Sequence, residues 1–91
     1  MNQQDSPPIK EFRAPGGLSA AIWENATERD GRTVVWYSIK IQRSFRDKNS
    51  KEWRTTNYFR PQDLPRVARL AEDAFRFVDS PDSEGADDSE E

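Results

Sequence analysis

Two hydrophobic periods succeed one another along this chain, first one of two residues and then one near 3.6. The period of two is clearest over residues 33–46, T-V-V-W-Y-S-I-K-I-Q-R-S-F-R. Its odd positions, Val35, Tyr37, Ile39, Ile41, Arg43 and Phe45, are mostly apolar, and its even ones, Val34, Trp36, Ser38, Lys40, Gln42, Ser44 and Arg46, are mixed and basic. No Pro or Gly interrupts the run, and it is dense in β-branched and aromatic residues. That pattern predicts a strand with one buried face. At roughly 3.3 Å per residue the stretch would span about 46 Å, far beyond the usual strand of about five or six residues. A bend, a bulge or a projecting arm is therefore expected.

The same period recurs on either side. Residues 9–14 (I-K-E-F-R-A) suit a short edge strand, and Pro15-Gly16-Gly17 forces a turn. In residues 18–25, Leu18, Ala20 and Ile22 form the face expected to be buried, which puts Trp23 on the opposite, open face. Asp30-Gly31 is a strong hairpin signal, because both central positions of such a turn need φ > 0. Asp47-Lys48-Asn49-Ser50 reads as a second turn, and residues 51–60 return as another strand. Its two parities set Trp53, Thr55, Asn57 and Phe59 against Arg54, Thr56, Tyr58 and Arg60.

Pro61 then ends the sheet, and residues 61–63 suit a single 3₁₀-like turn. Asp63 is placed to cap a helix that tolerates Pro65 in its first turn. Leu64, Val67, Ala68, Ala71, Ala74, Phe75 and Val78 repeat at helical spacing, widened by Leu70 and Phe77, with the small residues expected at the closest contact. The predicted fold is α+β: a three- to four-stranded twisted antiparallel sheet followed by one C-terminal amphipathic helix lying on the odd-position face. Residues 1–8 read as a disordered N-terminus, 9–79 as a single domain, and 80–91 as a disordered acidic tail.

Composition narrows the function. The chain has 91 residues, with no cysteine and no histidine, which removes disulfides, thiolate chemistry, the commonest general base and the commonest metal ligand. There is no Gly-rich phosphate loop and no carboxylate cluster outside the tail. An enzyme is not expected, nor is a metal or a cofactor. A core this small is near the limit of stability alone, so a homodimer is. No run is long and apolar enough for a membrane span, and no signal-peptide pattern opens the chain; with no cysteine to report redox state, the cytoplasm is the simple inference. The net charge of −3 conceals a segregation. Residues 9–79 carry 14 basic and 10 acidic side chains, whereas residues 80–91 carry six acidic and no basic ones.

The most specific chemical signal is the even-parity face. Trp36, Lys40, Gln42 and Arg46 are expected beside Arg54, Thr56, Tyr58 and Arg60 on the next strand, with Trp23 joining them. The candidate binding residues are Trp23, Trp36, Lys40, Arg46, Arg54, Tyr58 and Arg60. Aromatics interleaved with Lys and Arg on an open sheet suit single-stranded nucleic acid, bases stacking on rings while cations follow phosphates. The competing reading makes the aromatics the centre of a protein interface with the charges at its rim.

The order of strands, a Pro-containing turn and one helix resembles the positive-cofactor-four type of transcriptional coactivator. The likeness rests on Asp30-Gly31, the pair Ile39 and Ile41, the run Phe45-Arg46-Asp47, and the Pro-led helix from Pro61. It implies a small homodimer that binds single-stranded DNA across a curved sheet, as an accessory to transcription or DNA metabolism. The family usually has Trp where Phe45 stands and a Lys/Gly-rich segment where residues 53–57 stand. The chain is also similar to small bacterial proteins sharing an A-A-I-W-x-N stretch, here residues 20–25, a likeness that brings no function with it.

Overall fold

The computed structural model describes residues 6–79. The expectations for residues 1–5 and for the acidic tail lie outside the described residues. Four strands form one antiparallel sheet in the order β1-β2-β3-β4: β1 Lys10–Ala14, β2 Leu18–Arg29, β3 Arg32–Arg46 and β4 Trp53–Thr56. A 3₁₀ turn, Pro61–Asp63, leads into helix α1, Leu64–Asp79. The arrangement is α+β, an open antiparallel sheet followed by one C-terminal helix.

The β2–β3 hairpin carries the architecture. Asp30 (φ 54°) and Gly31 (φ 77°) both take positive φ, the conformation a two-residue turn of this kind requires. Pairing runs from Arg29↔Arg32 to Leu18↔Arg43. The flanking strands are short: β1 pairs only with residues 18–22 of β2, and β4 only with residues 43–46 of β3. The rest of the hairpin is a two-stranded ribbon, the projecting arm that the overlong strand implied.

The register places Leu18, Ala20 and Ile22 on the face of Ile41 and Ile39, and α1 packs on that side. Leu18, Ala20 and Leu70 form the core, with Phe12, Ala14, Ile41, Phe59 and Val67 packed around them. Phe12 meets Phe77 edge to face, ring centroids 6.3 Å apart. This core occupies the end of the sheet where four strands overlap.

Two elements depart from expectation. The helix is rotated: Leu70 and Ala74 are its buried residues and Val67, Asp73, Phe77 and Val78 its half-buried ones, whereas Ala68 and Ala71 face out. Leu70, read as widening the stripe, is its centre, because Phe12 and Phe59 need a large side chain rather than a close backbone approach. The last strand is shorter than residues 51–60. The turn before it runs through Lys51, which takes φ 63°, and Asp47 N–H donates to Glu52 O at 2.8 Å. Tyr58 and Arg60 lie beyond β4 altogether.

Candidate nucleic-acid interface

The helix-free face of the sheet follows from the register. Ser19, Ala21, Trp23 and Asn25 of β2 oppose Gln42, Lys40, Ser38 and Trp36 of β3, and Arg46 and Ser44 oppose Trp53 and Thr55 of β4. On β1, Glu11 and Arg13 pair with Ala21 and Ser19. A groove of about 550 Å³ crosses this face, lined by Arg13, Ser19, Gln42, Ser44, Trp53 and Thr55 among others. Trp53 is 70 % exposed and Trp36 47 %. Two open indoles therefore share one face with Lys40, Arg46 and a row of hydroxyls and amides.

Of the seven predicted residues, Trp36, Lys40 and Arg46 lie along this face, Trp36 on the arm and Arg46 ten residues further along β3. Lys40 is exposed and has no ion-pair partner among the described residues. The Arg46 Nε donates to the Lys51 carbonyl at 3.1 Å, which steadies the guanidinium against the β3–β4 turn without neutralising it.

Of the other four, Arg54 is among the residues bordering the groove although its register sets it against Phe45, and the remaining three do not join the open face. Trp23 lies on the expected face but is only 8 % exposed. Its Nε1 donates to the Ser6 carbonyl at 2.7 Å, and Ile9 N–H donates to Ile22 O, so the segment ahead of β1 runs along β2 past the indole. Arg54 pairs with Phe45, which puts it on the helix side, and its Nε sits 2.8 Å from Asp47 Oδ2. Tyr58, 82 % exposed, stands outside the strand and off the register. Arg60 is held by Asp63, Nε to Oδ2 and Nη2 to Oδ1 at 3.0 Å each.

The cause of the Arg54 misplacement is arithmetic. Four residues, 48–51, separate the bonded pair Asp47 and Glu52, and an even-numbered loop sets odd positions against even ones. Even positions of β3 therefore share their face with Trp53 and Thr55. Sequence reasoning missed Trp53, Thr55 and Arg13 at the interface, and applying the rule to the turn would have found Trp53.

Beneath the sheet, Asp63 organises the charges. Its side chain is 1 % exposed and receives Arg60 N–H at 3.0 Å besides the guanidinium. The Arg60 hydrogen bonds hold the Asp63 carboxyl below the usual carboxylate range, its backbone N–H and the Arg43 charge add to this, and burial opposes. Arg43 Nε lies 3.7 Å from Asp63 Oδ2, buried and without a hydrogen-bond partner, and its guanidinium carbon stands 5.4 Å from the centroid of the Phe45 ring. In the β3–β4 turn, the Asn49 N–H is the main cause holding Asp47 low, with Ser50 and Arg54 adding to it against burial.

Among the described residues no group of His, Cys, Asp or Glu is arranged to hold a metal ion, and no helix is long and apolar enough to cross a membrane. No known protein family, curated protein or solved structure matches this chain.

Proposed function

We propose that this chain is a non-catalytic, sequence-tolerant single-stranded nucleic-acid-binding module that works through the helix-free face of its sheet, as a homodimer in the cytoplasm. The observation that carries the reading is the shared placement of Trp36, Trp53, Lys40 and Arg46 on one open face, beside a groove lined by Gln42, Ser44 and Thr55. Exposed rings offer stacking to any base, and unpaired cations follow the phosphates without reading sequence. The order of elements, shared with the positive-cofactor-four type of coactivator, supports the same use of the sheet.

Titration of labelled single-stranded oligonucleotides at two salt concentrations tests this. Trp53→Ala and Trp36→Ala should each cost about 1–3 kcal/mol of binding, and Arg46→Ala should lower the salt slope by about one unit. Tyr58→Ala, off the face, should change neither. Binding that ignores both tryptophans would refute the reading.

One observation favours a second reading, a protein-assembly module. Val34 and Trp36 are 40 % and 47 % exposed on the helix-free side of the arm, apolar surface that suits a protein partner. On that reading Trp36→Ala weakens self-association or partner capture and leaves oligonucleotides unbound by either protein.

A further inference from the structure

A second groove, of about 400 Å³, lies between edge strand β1 and helix α1, on the other side of the sheet's edge. Its lining includes three arginines, Arg13, Arg66 and Arg69, against one carboxylate, Asp73, with the Arg13 guanidinium reaching toward Glu11 on the helix-free face. Arg66 has no ion-pair partner among the described residues. Arg69 meets Asp73 at 3.8 Å and Arg13 meets Glu11 at 3.2 Å, but both arginine side chains are 78 % exposed and keep donors open to solvent. Arg66, Arg69 and Asp73 follow one another at i, i+3 and i+7 along one flank of α1, beside Leu70, which lines the same groove.

Arg13 and Ala14 line this groove and also the groove on the helix-free face. The two therefore border the same edge strand, with Arg13 common to both. Strands lie about 4.8 Å apart, so the sheet from β4 to β1 is only about 14 Å wide. A single strand that crosses the sheet rather than following β3 leaves it after a few nucleotides, and the β1 edge is where cations continue.

We infer that the β1–α1 groove is a second phosphate site, taking the phosphodiester backbone of the same single strand after it leaves the sheet face. The inference rests on the nucleic-acid reading above. Arginine forks suit phosphate oxygens, and a groove lined by Ala14, Pro15 and Leu70 but no aromatic ring offers the backbone charge without a stacking surface. The site adds affinity and length dependence and leaves base tolerance unchanged.

The test uses the full chain, wild type and Arg66→Ala/Arg69→Ala, with oligothymidylates of about four and about 16 nucleotides, the span of known site sizes. Both substitutions are on exposed helix positions, and a thermal melt confirms that the variant is folded. The wild type should show a steeper salt slope with the long oligonucleotide than with the short one. The double variant should lose about 1.4 from the long-oligonucleotide slope, at about 0.7 per contact for single strands, and keep the wild-type slope with the short one. Equal slopes for variant and wild type with both oligonucleotides would overturn the site while sparing the sheet face. A wild type that binds neither overturns both readings. Loss that appears only with an acidic peptide of the 80–91 sequence, and not with oligonucleotides, overturns the site as a nucleic-acid one and makes it a polypeptide groove.

Discussion

Asp63 is the buried carboxylate among the described residues, and its role differs from the simple cap its position suggests. A carboxylate just ahead of a helix can accept from the first-turn amides, but here the hydrogen bonds described for both oxygens run backward to Arg60, with Arg43 alongside. Sequence could identify Asp63 as structural, since a Pro-led turn before an apolar helical repeat needs an acceptor. It could not show that Arg60, counted among the binding cations, is that acceptor's partner. The consequence is a pH dependence with a defined sign. The folded-state pKa of Asp63 is lowered, so its contribution is full above the ordinary carboxylate value of about 3.9. It is lost as pH falls from there through the lower folded value. Asp63→Asn should lower the melting temperature at neutral pH and shrink the difference between melts at neutral pH and at about pH 3. An acid limb identical in variant and wild type would show that other carboxylates carry it.

At the level of elements, legibility followed the turns. The Asp30-Gly31 hairpin was readable with its register, because a two-residue turn leaves no freedom between strands, and so Leu18, Ala20 and Ile22 were correctly placed under the helix. The β3–β4 turn sits one residue later than its composition suggested, over 48–51 rather than 47–50, and its end at Lys51 depended on a positive φ that no Gly announced. The helix was readable as amphipathic but not in phase, since Leu64, Ala68, Ala71 and Phe75 make a second apolar stripe, spaced four, three and four residues apart, competing with the buried one. The β1–β2 turn ties three strands together. Gly17 lies at φ 78°, its carbonyl accepts from Ser44 N–H at 2.7 Å, and a Cβ there would collide with the Ser44 backbone carbonyl. Gly17→Ala should therefore cost roughly 2 kcal/mol, from backbone strain and the clash together, and lower the melting temperature by about 10 °C. Gly31, with open space around its missing Cβ, should tolerate the same change better, and the two melts compared make the test. Equal losses would mean that conformation alone, and not the contact with β3, sets the cost.

For the whole molecule, the proposed homodimer makes a prediction that the burial pattern locates. Among the described residues the fully buried apolar side chains are few: Leu18, Ala20, Ile22, Trp23, Leu70 and Ala74. Meanwhile the molecule extends over 52 × 30 × 17 Å, and a bare two-stranded ribbon is marginal in water. The unburied apolar residues are not scattered. Leu64 is 53 % and Phe75 60 % exposed on the outer stripe of α1, with the small residues Ala68 and Ala71 between them. Val35 and Ile39, also open, lie on the same side of the sheet as the helix. A second copy packed there would use the small residues for close helix approach, cover the arm, and leave the opposite, helix-free face open for a nucleic acid. A stable interface buries about 800 Å² per partner. Sedimentation at tens of micromolar should accordingly give about twice the chain mass of 10.6 kDa. Phe75→Glu should halve that mass and lower the melting temperature, because a charge at the centre of an apolar contact is costly to bury. Trp36→Glu, on the other face, should leave the mass at the dimer value. If Trp36→Glu separates the subunits and Phe75→Glu does not, the copies meet through the helix-free face, and that face is no longer free for a nucleic acid. A wild type that sediments as a monomer would leave the arm and the outer helix stripe to a different protein.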